Sequence, residues 1–180
     1  WVWAWLGSAV AWPVLPPGGW PWWVGAALMV LGLAWLLNLF NFMDGIDGLA
    51  GLEAVCVGVG GACLAWLAGV PQAGRAPLLL AAAGAGFLVW NWPPARIFMG
   101  DVGRGFLGLM LGVLALDAAR VQSVVVWGWA VLLAVFVADG SVTLLRRALR
   151  GERLSAAHRS HAYQRLARRW GGHRPVTPLV

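Results

Sequence analysis

The stretch NLFNFMDGIDGLAG, residues 38–51, places two asparagines and two aspartates between long apolar segments. Only seven residues of the chain are acidic, and two of them stand three positions apart here. The four polar residues are Asn38, Asn41, Asp44 and Asp47. Their spacing of three brings neighbours close together on a helix, although the stripe slowly rotates. A charged side chain deep in a bilayer costs about 2.5–3.5 kcal/mol, so the carboxylates need water, a cation or a partner.

One alternative is that an aspartate caps the next helix, where a side-chain oxygen accepts backbone N–H groups at the positive end of the dipole. Capping would explain one acid, but neither the asparagines nor the second aspartate. Gly45, Gly48 and Gly51 also remove side chains at places where a ligand or another backbone could approach. We therefore predict a polar site in this stretch.

The composition indicates a membrane protein. The 180 residues are 61% hydrophobic and 11% charged, whereas a soluble domain carries about a quarter charged residues. All thirteen basic residues are arginine, and most of them follow position 145. Basic clusters of this kind mark the cytoplasmic flank of membrane proteins. Nucleic-acid binding explains the cluster poorly, because the rest of the chain would be insoluble.

Six apolar blocks can be drawn, at residues 1–12, 20–37, 49–69, 77–91, 105–118 and 122–145. Several approach the ~20 residues of a spanning helix. We predict an all-α polytopic membrane bundle of about six apolar helices. It would form a single membrane domain over residues 1–180, with a basic cytoplasmic tail and tail helix within 146–180. Cys56 and Cys63 fall inside an apolar block, where we expect small core residues rather than a disulfide or a metal pair.

Counting the blocks backwards from a cytoplasmic tail places three polar clusters on one face of the membrane. They are residues 38–47, residues 91–104, and Asp139 together with the tail. The connections on the other face are short and carry little charge. Polar side chains gathered at one side of a membrane bundle indicate a functional site.

The second cluster contains NWPPARIFMGDVGRGFLG, residues 91–108, which includes the pattern G-x-G-x-x-G. We reject a dinucleotide-binding fold, because no strand pattern precedes the glycines and no acidic residue follows about 20 positions later. A Walker-type phosphate loop is excluded because it needs a lysine. Backbone amides at a glycine-flanked helix start can still hold an anion such as phosphate.

The tail contains HRSHAYQRLARRW, residues 158–170, in which His158 and His161 would share one helical face. One interpretation is a basic amphipathic helix lying on anionic lipid. That interpretation leaves room for a site, because a lipid phosphate is itself an anion. We expect no zinc site, since the two histidines have no third ligand nearby.

Hard oxygen ligands beside arginines indicate Mg²⁺ and phosphate groups. Mg²⁺ usually takes one or two carboxylates and keeps waters and substrate oxygens as its other ligands. Asp101, an asparagine oxygen and a diphosphate would form such a set. Phosphoryl transfer then needs mainly positioning and charge neutralisation, which arginine and histidine on the same face would supply.

Four motifs in chain order carry a family resemblance: NFMDGIDGLAG at 41–51, PPARIFMGDVGRGFLG at 93–108, VADGSVTLLRR at 137–147 and HRSHAYQRL at 158–166. Together they resemble the polyprenyl-phosphate N-acetylhexosamine-1-phosphate transferases, glycosyltransferase family 4. The form HRSHAYQ is most similar to the bacterial subgroup that starts O-antigen or other surface-polysaccharide synthesis.

The resemblance implies a reaction and its participants. Such enzymes transfer an N-acetylhexosamine-1-phosphate from a UDP-sugar to a membrane polyprenyl phosphate, usually undecaprenyl phosphate, and release UMP. They require Mg²⁺ and span the bacterial inner membrane many times, with the active face cytoplasmic. Their partners are the two substrates and membrane lipid, with no nucleic acid.

The resemblance also implies roles for ten polar residues. Metal ligands are expected at Asn41 and Asp101, catalytic groups at Asp44, Asp47, His158 and His161, and substrate contacts at Asn38, Asn91, Arg104 and Arg159. Arg104 stands where the family more often has a small residue, and it would either reach a phosphate or extend toward water. Asp139 matches a recurring acid without a firm role.

The family also carries a pair of adjacent aspartates in an earlier cytoplasmic loop, preceded by several helices, and this sequence contains neither. The chain opens on Trp1, inside an apolar block. We therefore expect it to be the C-terminal part of a longer transferase and to be inactive alone. The alternative is a transporter or channel with a polar site at the cytoplasmic face; a transporter would place its acids near the middle of the membrane.

Overall fold

Helices make up most of the chain in a computed structural model that describes residues 21–122, 125–151 and 161–179. They are α1 (Trp22–Met43), α2 (Leu49–Leu67), α3 (Arg75–Asn91), α4 (Gly100–Val121), α5 (Val125–Leu132), α6 (Ala134–Leu149) and α7 (Ala162–Arg169), with 3₁₀ turns at Pro71–Gly74 and Thr177–Leu179. These three ranges contain no strand. The predicted all-α class is confirmed.

Several helices are long and apolar enough to cross a bilayer. Within the described ranges there are four such segments: Trp23–Met43, Leu49–Leu67, Pro71–Asn91 and Gly100–Val121. The pair α5 and α6, bent by 62°, would add a fifth. The prediction of a polytopic membrane bundle is confirmed, with four or five spans here rather than about six.

One predicted block is not tested by the structure, and another differs from the observed helices. The block 1–12 lies outside the described residues. The block 122–145 is wrong as a single helix, because it is divided at Leu133 between α5 and α6. Neither proline nor glycine stands at that position, so hydropathy gave no sign of the bend.

Large apolar side chains on the outer faces of the helices are exposed. Val30 and Leu31 of α1, and Leu79 and Val89 of α3, are each at least 60% exposed. Water would penalise such a surface, whereas lipid tails would not. The exposure pattern therefore agrees with a bundle that lies in a bilayer.

Glycines let the spanning helices approach closely. A Cβ atom built on Gly58 of α2 would lie 2.7 Å from the carbonyl oxygen of Pro77, in α3. One built on Gly108 of α4 would lie 2.5 Å from the carbonyl oxygen of Leu36, in α1. Side chains do not fit at these distances, so both crossings require glycine. Gly108 ends the G-x-G-x-x-G string, which therefore serves helix packing rather than dinucleotide binding.

The polar connections between helices lie at one end of the bundle. The α1–α2 connection (residues 44–48) and the α3–α4 connection (residues 92–99) contact each other through hydrogen bonds. Asn38 and Asn41, which we expected to follow the apolar block 20–37, lie inside the last turns of α1. The helix continues through them because its apolar face, which includes Phe40, stays buried in the core.

The tail helix α7 packs its apolar side on the same end of the bundle. Tyr163 and Ala167 belong to the buried core, and the Tyr163 side chain is 1% exposed. At Tyr163 and Ala167 the helix therefore contacts protein rather than lipid, whereas Trp170, just after it, is 47% exposed. Contact of the exposed basic side with anionic lipid stays a prediction. The helix is also shorter than the predicted stretch: His161 occupies its N-cap position, and His158 lies outside the described residues.

Both cysteines of α2 are free and exposed. The expectation that Cys56 and Cys63 are core residues is wrong. The inward face of α2 carries smaller residues, among them Ala54, Gly58 and Gly61, because the neighbouring helices leave little room there.

Adding one methyl group at the α2–α3 crossing should weaken the bundle. We expect Gly58→Ala to cost about 1–3 kcal/mol of unfolding free energy, since overpacking forces the backbones apart. Gly86→Ala is the matched control, because Gly86 is exposed in α3 and its Cβ would meet nothing within 4 Å. Thermal unfolding of each variant in detergent, followed by circular dichroism, measures the difference. Equal midpoints for the two variants would contradict the close crossing.

Candidate active site

The turn between α1 and α2 is tied to the α3–α4 connection by hydrogen bonds. Gly48 has φ +79°, in the left-handed region that favours glycine, and its N–H donates to Asn91 Oδ1 at 3.0 Å. Asn91, which is buried, donates from Nδ2 to the carbonyl oxygen of Ile97 at 2.8 Å. The Ala95 N–H donates to Asp47 Oδ2 at 3.1 Å. Two segments that are far apart in sequence are thereby fixed as one unit.

The capping alternative for the aspartates is wrong. The N-cap residue of α2 is Gly48, and no side chain makes a capping hydrogen bond there. Asp44 instead follows the last residue of α1, and Asp47 accepts a hydrogen bond from the α3–α4 connection. Both carboxylates are therefore available to a site at this end of the bundle.

A single guanidinium, that of Arg104 in α4, joins an acid of the α1–α2 connection to an acid of its own helix. Arg104 donates from Nε to Asp44 Oδ2 at 2.5 Å and from Nη1 to Asp101 Oδ1 at 3.2 Å. The Asp44 side chain is 11% exposed, whereas that of Asp101 is 84% exposed. Burial raises the pKa of the Asp44 carboxyl above its usual value, and the neighbouring Arg104 only partly opposes this. Asp101 stands in the first turn of α4, where the helix dipole favours a negative charge.

The tail reaches the same region through Asp139 of α6. The Ala162 N–H, at the start of α7, donates to both carboxylate oxygens of Asp139, at 3.0 and 3.2 Å. His161 is 1% exposed, and its Nδ1 lies 3.6 Å from Asp139 Oδ2. Asp139, to which the motif comparison assigned no role, therefore holds the start of the tail helix.

Tyr163 connects the tail helix to the end of α1. Its hydroxyl donates to the carbonyl oxygen of Phe42 at 3.1 Å, and its ring stacks on His161 with centroids 5.5 Å apart. Burial is the main cause that raises the pKa of Tyr163, so the hydroxyl stays neutral and can donate. A Cβ on Gly45 would collide with that hydroxyl and lie 2.6 Å from Gln164 Nε2. Gly45 is therefore glycine because the tail packs against it.

Two residues beyond the recognised motifs also bind the turn. The Asp47 N–H donates to His173 Nδ1 at 3.3 Å, and Thr177 Oγ1 donates to the carbonyl oxygen of Asp47 at 2.8 Å. Neither residue was predicted from the sequence. The only signal was scarcity: His173 is one of three histidines, and all three lie in the tail.

A cavity of about 300 Å³ opens between the α1–α2 turn and the tail. Its lining residues are Gly45, Ile46, Gln164, Ala167, Arg168, Gly172 and His173. Guanidinium, imidazole and amide groups thus border a space next to the aspartates.

Most of the predicted site residues in the described ranges meet at this end. Those that contact one another or the two connections are Asp44, Asp47, Asn91, Asp101 and Arg104, whereas His161 contacts Asp139 and Tyr163. Asn38 donates from Nδ2 to Ala34 in its own helix at 2.7 Å, and Asn41 is exposed. His158 and Arg159 lie outside the described residues.

The donor set suits a hard cation, although the described residues contain no group of three or more His, Cys, Asp or Glu side chains arranged to hold a metal ion. Asp101 offers an exposed carboxylate and Asn41 an exposed amide. Mg²⁺ needs only one or two protein carboxylates when water and substrate oxygens complete its shell.

Comparison with known proteins relates this arrangement to a family. Glycosyl transferase family 4 matches residues 6–119. A probable undecaprenyl-phosphate N-acetylglucosaminyl 1-phosphate transferase of Bacillus subtilis is 33% identical over 80% of this chain and 41% of its own length. A putative glycosyltransferase of Streptomyces coelicolor is 40% identical over 92% of this chain and 41% of its own length. A phospho-N-acetylmuramoyl-pentapeptide-transferase of Moorella thermoacetica is 37% identical over 64% and 36% of the two lengths.

The chain spans about two fifths of the length of the curated relatives it matches. The family match includes α1 to α3 and nearly all of α4, which carry Asp44, Asp47, Asn91, Asp101 and Arg104. The Streptomyces relative extends the similarity over 92% of the chain. From this match and these identities, the chain belongs to glycosyl transferase family 4, as its four motifs indicated.

Proposed function

We propose that the protein containing this chain transfers an N-acetylhexosamine-1-phosphate from a UDP-sugar to a polyprenyl phosphate and releases UMP. Undecaprenyl phosphate is the proposed acceptor, and the reaction would start a bacterial cell-envelope polysaccharide at the cytoplasmic face of the inner membrane. The names of the Bacillus and Moorella relatives support the reaction class. The HRSHAYQ motif supports an O-antigen-type product.

One observation carries this proposal: an acid at the end of α1 and an acid in the first turn of α4 converge on Arg104. Asp44 and Asp101 lie 57 positions apart in the sequence, yet both contact the same guanidinium. A site that must hold two phosphate-bearing substrates needs cationic groups close to carboxylates that orient them. The bundle places these groups at its end, where a water-soluble donor and a lipid headgroup could meet.

The positions of Asp44 and Asp101 along their helices support the transporter alternative less well. Asp44 follows the last residue of α1, and Asp101 lies in the first turn of α4. A transporter would hold its acids near the middle of the span, at broken helices. The bent pair α5 and α6 breaks at Leu133, away from both acids in the chain, and its polar residue Asp139 contacts the tail.

The proposed reaction joins two anions. An oxygen of the polyprenyl phosphate attacks the phosphorus that carries the sugar, and a new P–O–P linkage forms. The bond from that phosphorus to the UMP oxygen breaks, and UMP leaves with the electron pair. Because both reactants are negatively charged, the site must offset their repulsion and hold them in line.

Arg104 is the described residue best placed to offset this charge. Its guanidinium keeps its positive charge at any working pH and can present several N–H donors to phosphate oxygens. The buried Asp44 orients the guanidinium from one side and Asp101 from the other. Because burial raises the pKa of Asp44, its ionised form depends on the positive charge of Arg104 beside it.

Asp101 and Asn41 are the residues that would hold Mg²⁺. When bound, the ion would neutralise charge on the donor diphosphate and on the departing phosphate. Asp101 suits this function because its carboxylate is 84% exposed. Five further residues remain predicted contributors to the site: Asn38, Asn91, His158, His161 and Arg159. The side-chain amide of Asn91 is already hydrogen-bonded to Gly48 and Ile97.

Removing the charge of Asp101 should abolish the reaction. We expect the full-length enzyme to release UMP from UDP-GlcNAc-type donors and undecaprenyl phosphate only with Mg²⁺, and Asp101→Asn to bring the rate to background. Asp117→Asn is the matched control, since Asp117 is near the other end of α4 and pairs with Arg120. Wild-type turnover in Asp101→Asn would reject the metal role. Flux through proteoliposomes without UMP formation would instead support a transporter.

Truncating Arg104 should slow turnover without unfolding the protein. We expect Arg104→Ala to lower kcat by about 100-fold, the typical effect of removing one donor that stabilises developing charge. Arg104→Lys should recover only part of the rate, because an ammonium cannot reach both acids through a planar fork. Arg120→Ala, at the opposite end of the same helix, should leave kcat unchanged. An Arg104→Ala enzyme as fast as wild type would show that the ion pairs of Arg104 with Asp44 and Asp101 contribute nothing to turnover.

Donor choice is tested by UMP release over a panel of UDP-sugars. If the O-antigen-type assignment holds, UDP-linked N-acetylhexosamines such as GlcNAc, QuiNAc or FucNAc should be used. A UDP-N-acetylmuramoyl-pentapeptide should then be a poor donor. Preference for the pentapeptide donor would contradict the subgroup assignment and leave the reaction class intact.

A further inference from the structure

We propose that His173, in the segment 170–179, is a positioning residue of the transferase site. This inference rests on the proposed function, because positioning has a consequence only if Asp47 takes part in the reaction. No motif discussed above includes His173, and the residue follows the last of them by seven positions.

The polar groups of Asp47 show how the segment acts. The backbone N–H donates to His173 Nδ1 at 3.3 Å, and the carbonyl oxygen accepts from Thr177 Oγ1 at 2.8 Å. The carboxylate accepts from the Ala95 N–H at 3.1 Å. The partners come from 48, 126 and 130 positions away. Two of the three belong to the segment 170–179, so the backbone at Asp47 is held mainly by the tail.

The geometry assigns a protonation state to His173. Nδ1 accepts the Asp47 N–H, so it carries no proton, and in the neutral ring the proton sits on Nε2. The same Nδ1 lies 3.4 Å from Asp47 Oδ2. Nδ1 could approach the carboxylate favourably only if it carried a proton to donate. The hydrogen bond from the Asp47 N–H to Nδ1 would then be lost. The shorter, well-directed contact is to the amide, so the ring orients the backbone and Ala95 orients the carboxylate.

The segment 170–179 packs against the bundle through two buried residues. Val176 and Thr177 are fully buried. A Cβ on Gly48 would lie 3.0 Å from Thr177 Cγ2, which shows how closely the segment covers the turn. The Thr177 hydroxyl also lies 3.1 Å from the carbonyl oxygen of His173, which links the two residues. Burial of Val176 and Thr177 and these hydrogen bonds hold the segment against Asp47, and the His173 side chain, 42% exposed, makes its contact at the edge of the turn.

The expected effect is on turnover. His173 contacts Asp47 rather than the reacting atoms, so its loss would act by moving a catalytic group. A misplacement of about 1 Å can cost roughly 100-fold in rate. We expect kcat for UMP release to fall by that order in His173→Ala, while KM for the UDP-sugar changes much less.

The decisive experiment compares three variants in the full-length enzyme. His173→Asn should recover most of kcat, because the asparagine side-chain oxygen can take the place of Nδ1 as acceptor. Arg174→Ala is the matched control, since Arg174 is the exposed neighbour in the same segment, and it should match wild type. If His173→Ala keeps wild-type kcat, or if His173→Asn is as slow as His173→Ala, the proposal is overturned.

A second readout does not depend on catalysis. Hydrogen exchange of the peptide covering residues 44–50, followed by mass spectrometry, should be faster in His173→Ala and close to wild type in His173→Asn and Arg174→Ala. Unchanged exchange in His173→Ala overturns the proposal even if activity falls. If the wild-type enzyme releases no UMP, the proposed function fails, and the exchange pattern still decides whether His173 holds the turn.

Discussion

The hydrogen bonding of one turn, Asp47–Gly48, organises the polar end of this bundle. A buried N–H or C=O without a partner costs about 1–3 kcal/mol, and lipid-facing helices have no spare donors or acceptors to offer. The partners come instead from the α3–α4 connection and from the tail, through Asn91, Ala95, His173 and Thr177. The turn therefore reaches its geometry only when four spans and the tail are assembled, which couples the site to the whole described fold.

Charged side chains at the same end of the bundle also join distant parts of the chain. Arg104 links Asp44, in the α1–α2 connection, to Asp101 in the first turn of α4, and Asp139 fixes the start of the tail helix. All basic residues of the chain are arginine, the side chain whose planar fork matches carboxylates and phosphates. An end of a membrane bundle that concentrates such groups agrees with the phosphate-bearing substrates proposed for the protein that contains this chain.

The spans themselves act as a scaffold. Gly58 and Gly108 allow α2 and α4 to touch the backbones of neighbouring helices, and large apolar side chains cover the outer surface. Close crossings limit how far the helix ends can move, so the connections they carry keep their relative positions. The tail adds a second constraint, because Tyr163 binds the end of α1 and packs against Gly45.

The sequence by itself determined the helical membrane class, the three polar clusters and the family, because apolar block length and short motifs are local properties. It also indicated that Asp44 and Asp101 share a site. Tertiary structure alone decided that Arg104 joins them, that Asn91 serves the Gly48 turn, that α5 and α6 bend at Leu133, and that Cys56 and Cys63 face outward. It alone brought His173 and Thr177 to Asp47. These features depend on contacts between residues 43 to 130 positions apart or on how whole helices pack, and no local periodicity encodes them.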